Sequence, residues 1–559
     1  MAEWAERAMR AVLWAGMAGM VASLSLERAL TPKGNGGKFW QITDIHWDQQ
    51  YSESGDPAKM CHDEYQVSDY HNGAYGNYLC DSPWKLVKSS LQAMTRIHPL
   101  PEFVLWTGDN VPHTNDPEPD FSVIFRTVSN ITNELRTAFP ENIPILPVLG
   151  NHDAFPKDDF PVAGESFYGQ YLTRGGWAAV LPQDAQEDFK KGGYYEYILP
   201  SGVTVLVVNT NLYYANNQLG TKAIDPCGQF AWLEEKLEGA QDRSSKVIIA
   251  AHAPPGYFER FAVIPFFNAT YNSDYINLLN KHGKVIMAQI YGHEHTDSFR
   301  IFASDSGELQ SVAFLAPSVT PWYPKPVPGG TAINPSLRLY THDTSDILDY
   351  TQYHLNLGDL NDIPKEENGS TVASKMPEWS VFYHARASYG LEKLDVTNMA
   401  GLYKELSTND SLFQQYYLRN SAGYNNGVCD IDCKRNHLCA IGHIKIEDLN
   451  SCMGFNDTTP GPDTYESTTS LYPEPVQSFI LEDGSPVSAD NFDDNSDGTS
   501  HLVIIMVALG MTLMVVLAVT LAAMLVIITL QRKSVLRREG SVPVSELSWG
   551  LRQQGYKPF

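Results

Sequence analysis

The chain has 559 residues, of which 43% are hydrophobic and 19% charged, and its formal net charge is −25. This composition is that of a globular protein with a sizeable core. The acidity excludes a binder of nucleic-acid polymers, because such proteins need basic surface patches. Any anionic ligand would therefore depend on bound cations for local positive charge.

The N-terminus has the pattern of a signal peptide. Arg7 and Arg10 precede an apolar stretch that runs from Ala11 to about Leu26. This arrangement predicts a signal peptide over residues 1–28, with cleavage near residues 22–30, and hence an exported chain. A retained N-terminal anchor is the alternative interpretation.

Residues 38–345 alternate between strand-like and helix-like patterns. Short apolar runs predict strands at residues 39–43, 103–107, 145–149, 203–208, 246–251, 285–291 and 312–316. Between several of these runs, helical periodicity predicts helices at residues 84–97, 120–138 and 229–238. The alternation predicts an α/β domain with a sheet-centred core, covering helices, and functional loops that converge at the carboxyl ends of the strands.

Segments with metal-binding side chains follow five of the predicted strands. In chain order they are Asp44-Ile45-His46, Gly108-Asp109, Gly150-Asn151-His152-Asp153, Ala251-His252-Ala253 and Gly292-His293-Glu294-His295. Each segment alone is short enough to occur by chance in a chain of this length. All of them in succession, each after an apolar run, indicate a binuclear metal site.

The residue types in these segments suit two divalent cations a few ångströms apart. Such a site needs one carboxylate that bridges both ions, and imidazoles or carbonyl oxygens for the outer positions. Asp109 is the predicted bridge. Asp44 and His46, as alternate residues at a strand end, can point into one site, and Asn151 supplies an amide oxygen.

The order of the motifs resembles that of the calcineurin-like metallophosphoesterases. Within residues 38–452 the chain is similar to the acid sphingomyelinase-like phosphodiesterases, both in its late cysteine spacing and in residues 39–44, 79–83, 106–109, 209–214 and 292–298. The resemblance implies a zinc-dependent phosphodiesterase. It also implies a four-layer αββα metallophosphoesterase sandwich over residues 38–345 with a C-terminal helical cap.

Two Zn²⁺ ions are the cofactors that the resemblance implies, and seven side chains would hold them. One ion would be held by Asp44, His46, Asp109 and His295, and the other by Asp109, Asn151, His252 and His293. Water held between the two ions would lose a proton readily and attack phosphorus in line.

Two further histidines are candidate catalytic residues. His152 follows the predicted ligand Asn151, and the resemblance makes it the proton donor to the leaving oxygen. His113 matches a second active-site histidine of the family. Histidine suits either role because its ordinary pKa of about 6.5 allows proton transfer near neutral pH. An ordinary hydrogen-bonded histidine is the alternative for each.

The implied substrate is a small-molecule or lipid phosphodiester of nucleotide, phosphocholine or sphingolipid type. Acid sphingomyelinases carry a saposin-like domain, and too few residues separate the predicted signal peptide from Phe39 to hold one. The lack of room for this domain favours small soluble diesters as substrates. A membrane span would hold the enzyme near a bilayer, so lipid substrates remain an alternative. One alternative is a purple-acid-type phosphomonoesterase. Such an enzyme needs a Tyr ligand near the second motif, and residues 106–111 contain no Tyr. Another is a non-catalytic surface protein that binds lipid or another ligand.

Residues 346–452 predict a helical, disulfide-bonded subdomain. The chain has seven cysteines, and disulfides are the expected state of cysteines in an exported chain. Local pairing predicts Cys61–Cys80, Cys429–Cys433 and Cys439–Cys452, and it leaves Cys227 as a free thiol. A zinc cluster of the four late cysteines is the alternative.

The C-terminal residues predict single-pass membrane attachment. Residues 453–500 have the composition of an acidic flexible stalk. Residues 502–530 contain no charged side chain and are long enough for a transmembrane helix. Basic residues from Arg532 onward place the tail, residues 531–559, in the cytosol. The catalytic domain would then be extracellular or luminal, at the cell membrane or an endolysosomal membrane. A GPI signal is the minority alternative, because a polar tail follows the span.

Two short patterns agree with this topology. Glycosylation sequons, all before the predicted span, occur at Asn130, Asn268, Asn368, Asn409 and Asn456. The tail ends in Tyr556-Lys557-Pro558-Phe559, a pattern of the kind that endocytic adaptors bind. A tail without a sorting signal is the alternative.

Overall fold

The computed structural model describes residues 36–64, 71–114, 117–220, 222–322, 332–361 and 377–454. All of them lie in one compact unit, Met1–Thr468, and the second unit, Thr469–Phe559, lies outside the described residues. Several predictions therefore fall outside the described residues: the signal peptide, the stalk beyond residue 454, the membrane span, the tail with Tyr556, and the sequons at Asn368 and Asn456. Within the described ranges, no helix has both the length and the apolar character that a membrane span requires.

The strands are numbered in chain order. They are β1 (Lys38–Ile42), β2 (Gly55–Asp56), β3 (His62–Glu64), β4 (Val104–Trp106), β5 (Ile145–Pro147), β6 (Tyr195–Ile198), β7 (Thr204–Val207), β8 (Val247–Ala250), β9 (Ile286–Tyr291), β10 (Ser298–Ala303), β11 (Leu309–Leu315), β12 (Ser336–His342), β13 (Ile347–His354) and β14 (Ser380–His384). Each of the seven predicted strands is confirmed, as β1, β4, β5, β7, β8, β9 and β11.

The α-helices are numbered in the same way. They are α1 (Trp84–Ile97), α2 (Phe121–Ala138), α3 (Glu165–Thr173), α4 (Gln183–Gly192), α5 (Gln229–Asp242), α6 (Ala269–Lys281), α7 (Leu357–Asn361), α8 (Ala385–Tyr389), α9 (Val396–Thr408), α10 (Asp410–Asn420), α11 (Ile431–Gly442) and α12 (Ile446–Met453). The three predicted helices are confirmed as α1, α2 and α5.

Two six-stranded sheets form the centre of the molecule. The strand order is β14-β13-β12-β1-β4-β5 in the first sheet and β10-β11-β9-β8-β7-β6 in the second. Strands β1, β4 and β5 are parallel to one another, as are β7, β8, β9 and β11. Parallel strands bring their carboxyl ends to one edge of a sheet, and this edge carries the site described below.

The side chains of β1 show how the layers are stacked. The indole N–H of Trp40 donates to the backbone oxygen of His98, just after α1, at 3.0 Å. The next side chain, the amide of Gln41, donates to the backbone oxygen of Tyr291 in β9 at 2.9 Å. Because successive side chains of a strand point to opposite faces, one face of the first sheet packs on helices and the other on the second sheet. On the outer side of the second sheet, the hydroxyls of Tyr291 and Tyr275 of α6 lie 3.1 Å apart. The predicted αββα layering is confirmed.

The predicted helical subdomain, residues 346–452, is only partly helical, which corrects the sequence interpretation. Helices α7 to α12 belong to it, but β13 and β14 extend the first sheet beside β12. In β13, Tyr350 and Gln352 are buried while Thr351 and Tyr353 are partly exposed. This alternation of buried and partly exposed side chains is typical of a half-buried strand.

The predicted cysteine pairing is confirmed. Disulfides join Cys61 to Cys80, Cys429 to Cys433, and Cys439 of α11 to Cys452 of α12. The alternative of a late zinc cluster is therefore wrong, because its thiols are consumed in disulfides. Cys227 is a free, half-buried thiol, and burial raises its pKa to about 11.

Candidate metal centre

The predicted ligand segments meet at the carboxyl ends of β1, β4, β5, β8 and β9. Backbone hydrogen bonds tie neighbouring segments together. The N–H of Asp44 donates to the backbone oxygen of Gly108 at 3.0 Å, and the N–H of Gly292 donates to that of His252 at 3.0 Å. The segments therefore form one cluster of loops that spans both sheets.

Five of the seven predicted ligands have a left-handed backbone conformation. Their φ angles are 49° at Asp44, 42° at His46, 55° at Asp109, 71° at His293 and 59° at His295. Sparsely populated backbone conformations cost on the order of 1–3 kcal/mol each, and they concentrate where function requires a fixed geometry. Their coincidence with the metal-binding side chains supports a functional site.

Two glycines of the motifs let these loops approach closely. Gly108 has a φ of 90°, and a Cβ there would lie 2.5 Å from the backbone nitrogen of Gly150. A Cβ on Gly292 would lie 2.1 Å from the hydroxyl oxygen of Thr43. Any larger residue at either position would push the ligand loops apart.

The first ligand group consists of Asp44, His46 and His295. The Nε2 atom of His295 lies 3.6 Å from Asp44 Oδ1 and 3.2 Å from His46 Nε2. Ligands that bind one tetrahedral zinc ion at about 2.1 Å lie roughly 3.4 Å apart. The group therefore has the spacing of ligands around a single cation.

The second group consists of Asp109, Asn151, His252 and His293. His293 Nδ1 lies 2.9 Å from Asn151 Oδ1 and 3.2 Å from His252 Nε2. Asp109 Oδ2 lies 3.2 Å from His252 Nε2 and 3.5 Å from His46 Nε2 of the first group. One carboxylate oxygen thus lies between the two groups, in the position of a bridging ligand.

The protons on three of these imidazoles can be assigned from their partners. Each Nδ1 contacts a backbone carbonyl oxygen: His46 that of Val111 at 2.7 Å, His252 that of Thr107 at 2.7 Å, and His295 that of Trp322 at 3.1 Å. A carbonyl oxygen can only accept, so each Nδ1 carries a proton, and in the neutral ring each Nε2 presents a lone pair. These lone pairs converge with carboxylate oxygens, and a cluster made only of acceptors needs a cation.

Hydrogen bonds also orient the non-histidine ligands. Asn151 donates its amide Nδ2 to Asp158 Oδ1 at 2.7 Å, which turns its oxygen towards His252 and His293. The backbone N–H of His152 donates to Asp109 Oδ1 at 2.9 Å, which leaves the other carboxylate oxygen for the two groups.

His113 and His152 lie directly beside the first ligand group. The ring centroid of His113 is 3.8 Å from that of His46 and 4.4 Å from that of His152. The Nδ1 of His113 lies 3.0 Å from Asp81 Oδ1, and its backbone N–H donates to Asp81 Oδ2 at 2.7 Å. Asp81 therefore fixes the ring of His113, and the structure brings together both predicted catalytic histidines.

Burial sets the protonation of this cluster. It lowers the pKa of both His113 and His152 well below the ordinary range, and the positive charge of Lys157 lowers both further. Burial also disfavours the charged form of His252, but Asp109 outweighs this effect and raises the pKa of His252 to about 9. Without a cation, Nε2 of His252 therefore holds a proton, and a bound metal ion would take the place of that proton. The carboxylate of Asp109 thus interacts electrostatically with several of the surrounding imidazoles.

Several residues that support the site escaped the sequence analysis. Asp153 accepts backbone N–H groups of Gly150, Asp109 and Asn110 at 2.9, 3.1 and 3.0 Å, and so joins two ligand loops. Its position directly after a motif was the available signal. Asp81 lies within residues 79–83, one of the segments that carry the family resemblance, but its contact with His113 was not predicted. Asp158 and Lys157 had no local signal, because tertiary contacts alone bring them to the site.

A small opening lies beside His152, with apolar and charged walls. Its lining includes Val111, Pro112, Glu118 and Lys157. The backbone N–H of Lys157 donates to Glu118 Oε1 at 2.5 Å. A polar ligand bound next to His152 would therefore meet a carboxylate and an ammonium group.

Buried charges connect the loop of His293 and His295 to the C-terminal helices. Arg300 of β10 contacts Glu294 Oε2 at 2.6 Å and Glu259 Oε2 at 3.0 Å, and all three side chains are fully buried. His437 of α11 completes the network, with its Nδ1 2.5 Å from Glu259 Oε1. No sequence pattern predicted this network, because its members lie far apart in the chain.

Comparison with known proteins agrees with this geometry. The model of the calcineurin-like phosphoesterase family matches residues 37–297, and that of the acid sphingomyelin phosphodiesterase C-terminal region matches residues 308–458. Acid sphingomyelinase-like phosphodiesterase 3b of Homo sapiens is 36% identical, over 76% of this chain and 92% of the relative. The chain belongs to the acid sphingomyelinase-like phosphodiesterases. Sphingomyelinase phosphodiesterase C of Dictyostelium discoideum is 33% identical, over 75% of this chain and 92% of the relative. Cyclic GMP-AMP phosphodiesterase SMPDL3A of Homo sapiens is 32% identical, over 75% of this chain and 90% of the relative.

Family membership gives this acid sphingomyelinase-like phosphodiesterase its reaction class. It is a phosphoric diester hydrolase that acts on a small-molecule phosphodiester. The metallophosphoesterase fold implies divalent metal ions, and the two ligand groups offer the donors to hold them.

Proposed function

We propose that this protein is a dinuclear zinc phosphodiesterase that prefers nucleotide-type diesters. The observation that carries the proposal is the pair of ligand groups joined by Asp109 Oδ2. Asp44, His46, Asp109 and His295 would hold one ion, and Asp109, Asn151, His252 and His293 the other. Imidazole nitrogen with carboxylate oxygen is a donor set that zinc favours over magnesium or calcium. When bound, the two ions would supply positive charge for the phosphoryl oxygens and make water more acidic.

His152 is the proposed proton donor to the leaving oxygen, with His113 beside it. A diester leaves as an alkoxide, which needs a proton. Burial lowers the pKa of His152, and the negative charge of a bound diester would oppose that effect and favour its protonated form. The ring of His152 lies at the edge of the ligand cluster, 5.1 Å from the ring of His46. Asp81 fixes His113 within reach of the same region, so that a second proton-carrying group remains in place during turnover.

The preference for diesters rests on charge. A diester carries one negative charge where a monoester carries nearly two, so it makes less demand on cationic side chains. Glu118 and Lys157, in the walls beside His152, offer polar partners to a leaving group of nucleotide type. Relatives are named for cyclic GMP-AMP and for sphingomyelin, which are both diesters. Phosphocholine-type and sphingolipid substrates therefore belong in the same test.

The test is steady-state kinetics of the full-length protein with zinc at pH 5 and pH 7. The panel contains a cyclic dinucleotide, a phosphocholine diester, sphingomyelin in micelles and a nucleoside monophosphate. We expect the highest kcat/KM for the cyclic dinucleotide, loss of activity after chelation, and recovery with zinc but not with magnesium. A monoester about tenfold better than every diester would contradict the proposal.

We also propose that the catalytic domain is extracellular or luminal and anchored by residues 502–530. The three disulfides support an oxidising compartment. Of the sequons within the described residues, Asn409 is exposed, and Asn130 and Asn268 are partly exposed. An epitope placed after Phe559 should be detected only in permeabilised cells, and detection on intact cells would overturn the orientation. Tyr556→Ala tests the sorting prediction, with slower internalisation as the expected result.

A further inference from the structure

Helices α5 and α6 carry a second, separate cluster of metal-binding side chains. Glu234 and Glu238, one turn apart on α5, and His282, at the C-terminal end of α6, each offer one ligand atom within 4.8 Å of the other two. Two bonds of about 2.1 Å across a cation span roughly 4.2 Å. The cluster therefore has room for one ion at its centre.

His282 is the observation that raises this cluster above a pair of surface carboxylates. Its side chain is buried, with 4% of the residue exposed, and neither ring nitrogen has a hydrogen-bond partner among the described residues. A buried polar group without a partner is costly and needs an explanation. The backbone of His282 is fixed by hydrogen bonds from its N–H to Leu279 O and from Val285 N–H to its own oxygen, at 3.2 and 3.0 Å. The ring thus stays beside the two carboxylates.

The local charges attract a cation. The ammonium of Lys281 lies 2.5 Å from Glu234 Oε1 and 3.6 Å from Glu238 Oε1, so a positive group already binds both carboxylates. Lys281 is 55% exposed and can swing into solvent. The carbonyl groups at the end of α6 add partial negative charge to the same place. An ion bound by the carboxylates would also give the imidazole of His282 a partner, whereas Lys281 makes no hydrogen bond to either ring nitrogen.

We propose that Glu234, Glu238 and His282 form an additional zinc site that clamps α5 to α6. One nitrogen and two carboxylate oxygens are a donor set for zinc, whereas calcium and magnesium favour oxygen alone. The site is distinct from the centre built around Asp109. It would stabilise the helical layer outside the second sheet and take no part in the reaction.

Equilibrium dialysis of the full-length protein against rising free zinc tests the proposal. Wild-type protein should bind one more equivalent of zinc than His282→Gln or Glu234→Gln. In these variants the affinity of the last ion should fall by more than the ~10–100-fold that loss of a supporting partner costs. Only the difference between proteins is used, so the result does not depend on how many ions the catalytic centre holds.

Two matched variants sharpen the test. Glu235→Gln removes the same charge from an exposed neighbour on α5 and should bind zinc like the wild type. Lys281→Met removes the competing ammonium and should tighten zinc binding by about two- to fivefold, the worth of a surface ion pair.

Thermal unfolding provides an independent readout. Added zinc should raise the Tm of the wild type and of Glu235→Gln by a few degrees more than that of His282→Gln, because an ion that binds only the folded state stabilises it. Calcium at the same concentration should produce a smaller rise. Equal zinc stoichiometry in wild type and His282→Gln, or equal losses in Glu235→Gln and Glu234→Gln, would overturn the proposal.

Discussion

The two ligand groups of the metal centre share Asp109 but differ in charge. The first adds a second carboxylate, Asp44, whereas the second adds only the neutral amide of Asn151. Each negative ligand adds direct Coulomb attraction for a divalent cation. The ion in the second group should therefore be the more weakly held of the two.

The hydrogen bonds that hold the outer ligands also favour tighter binding in the first group. Asp44 accepts hydrogen bonds from the hydroxyl of Thr43 at 2.5 Å and from the backbone N–H of His293 at 3.1 Å. Asn151 depends on one side chain, Asp158. A shared bridge with unequal outer ligands gives a centre in which one ion stays and the other exchanges more readily.

The largest effect is expected from Asp109→Asn, which removes the bridge. Both groups lose their common negative charge, so the variant should lose most bound zinc and nearly all activity while keeping its fold. Elemental analysis, kinetics and circular dichroism measure these three quantities. Asp242→Asn, at an exposed position on α5, is the charge-matched control. Two zinc equivalents and full activity in Asp109→Asn would refute the assignment of the bridge.

His152→Ala tests whether proton transfer can be separated from ion binding. His152 is not assigned to either ligand group, so both ions should remain while turnover falls by about 10²–10⁴-fold, the usual contribution of a general acid. The loss should be smaller for a nitrophenyl diester, whose leaving group needs little help from a proton. Equal losses for nitrophenyl and alkyl diesters would show that His152 is not the donor.

A pair of supporting variants tests the asymmetry directly. Asp158→Ala should weaken the ion of the second group, and Thr43→Val that of the first, each by about 10–100-fold. Zinc release during titration with a chelator should show one early and one late ion in Asp158→Ala, more widely separated than in the wild type. In Thr43→Val the two releases should move together. The same release curve for both variants would remove the distinction between the groups.

The smallest effect is expected in the pH dependence of stability. It concerns both ligand groups, because the buried network of Glu259 supports the loop that carries His293 and His295. Burial opposes ionisation of Glu259, but His437 and Arg300 outweigh it and lower its pKa from 4.5 to about 2. A lowered pKa in the folded state contributes stability above pH 4.5, which is lost as the pH falls towards 2. The midpoint of denaturant unfolding should therefore fall over this range, and the fall should be shallower in Glu259→Gln. Parallel pH profiles for the two proteins would exclude Glu259 as the cause.

The sequence predicted the parts of the site that depend on local pattern. Asp44, Asp109 and His252 follow apolar runs, and residue type and order were enough to place them at strand ends. The supporting residues were missed for a physical reason. Asp158 and Asp81 act through side-chain hydrogen bonds across loops, and these contacts leave no periodicity in the chain.

The fold shows the same division between local and long-range information. Strands with continuous apolar runs were predicted, since they are buried on both faces. Strand β13 was missed because it is half-buried and its sequence, Ile347–His354, mixes polar residues with tyrosines. Its partner β12 lies on one side and β14 on the other, so pairing rather than hydrophobicity makes it a strand.

The seam between the two family matches, residues 298–307, lies inside a continuous structure. Strand β12, from the C-terminal match, pairs with β1 from the N-terminal one, and His437 reaches Glu259 across the same seam. The two matches are therefore not interchangeable modules. A chimera that joins the N-terminal part of this chain to the C-terminal part of a distant relative would have to reproduce both the strand register and the partner of a buried carboxylate. Recombination at this point should yield insoluble protein far more often than recombination at the exposed turn of residues 218–219.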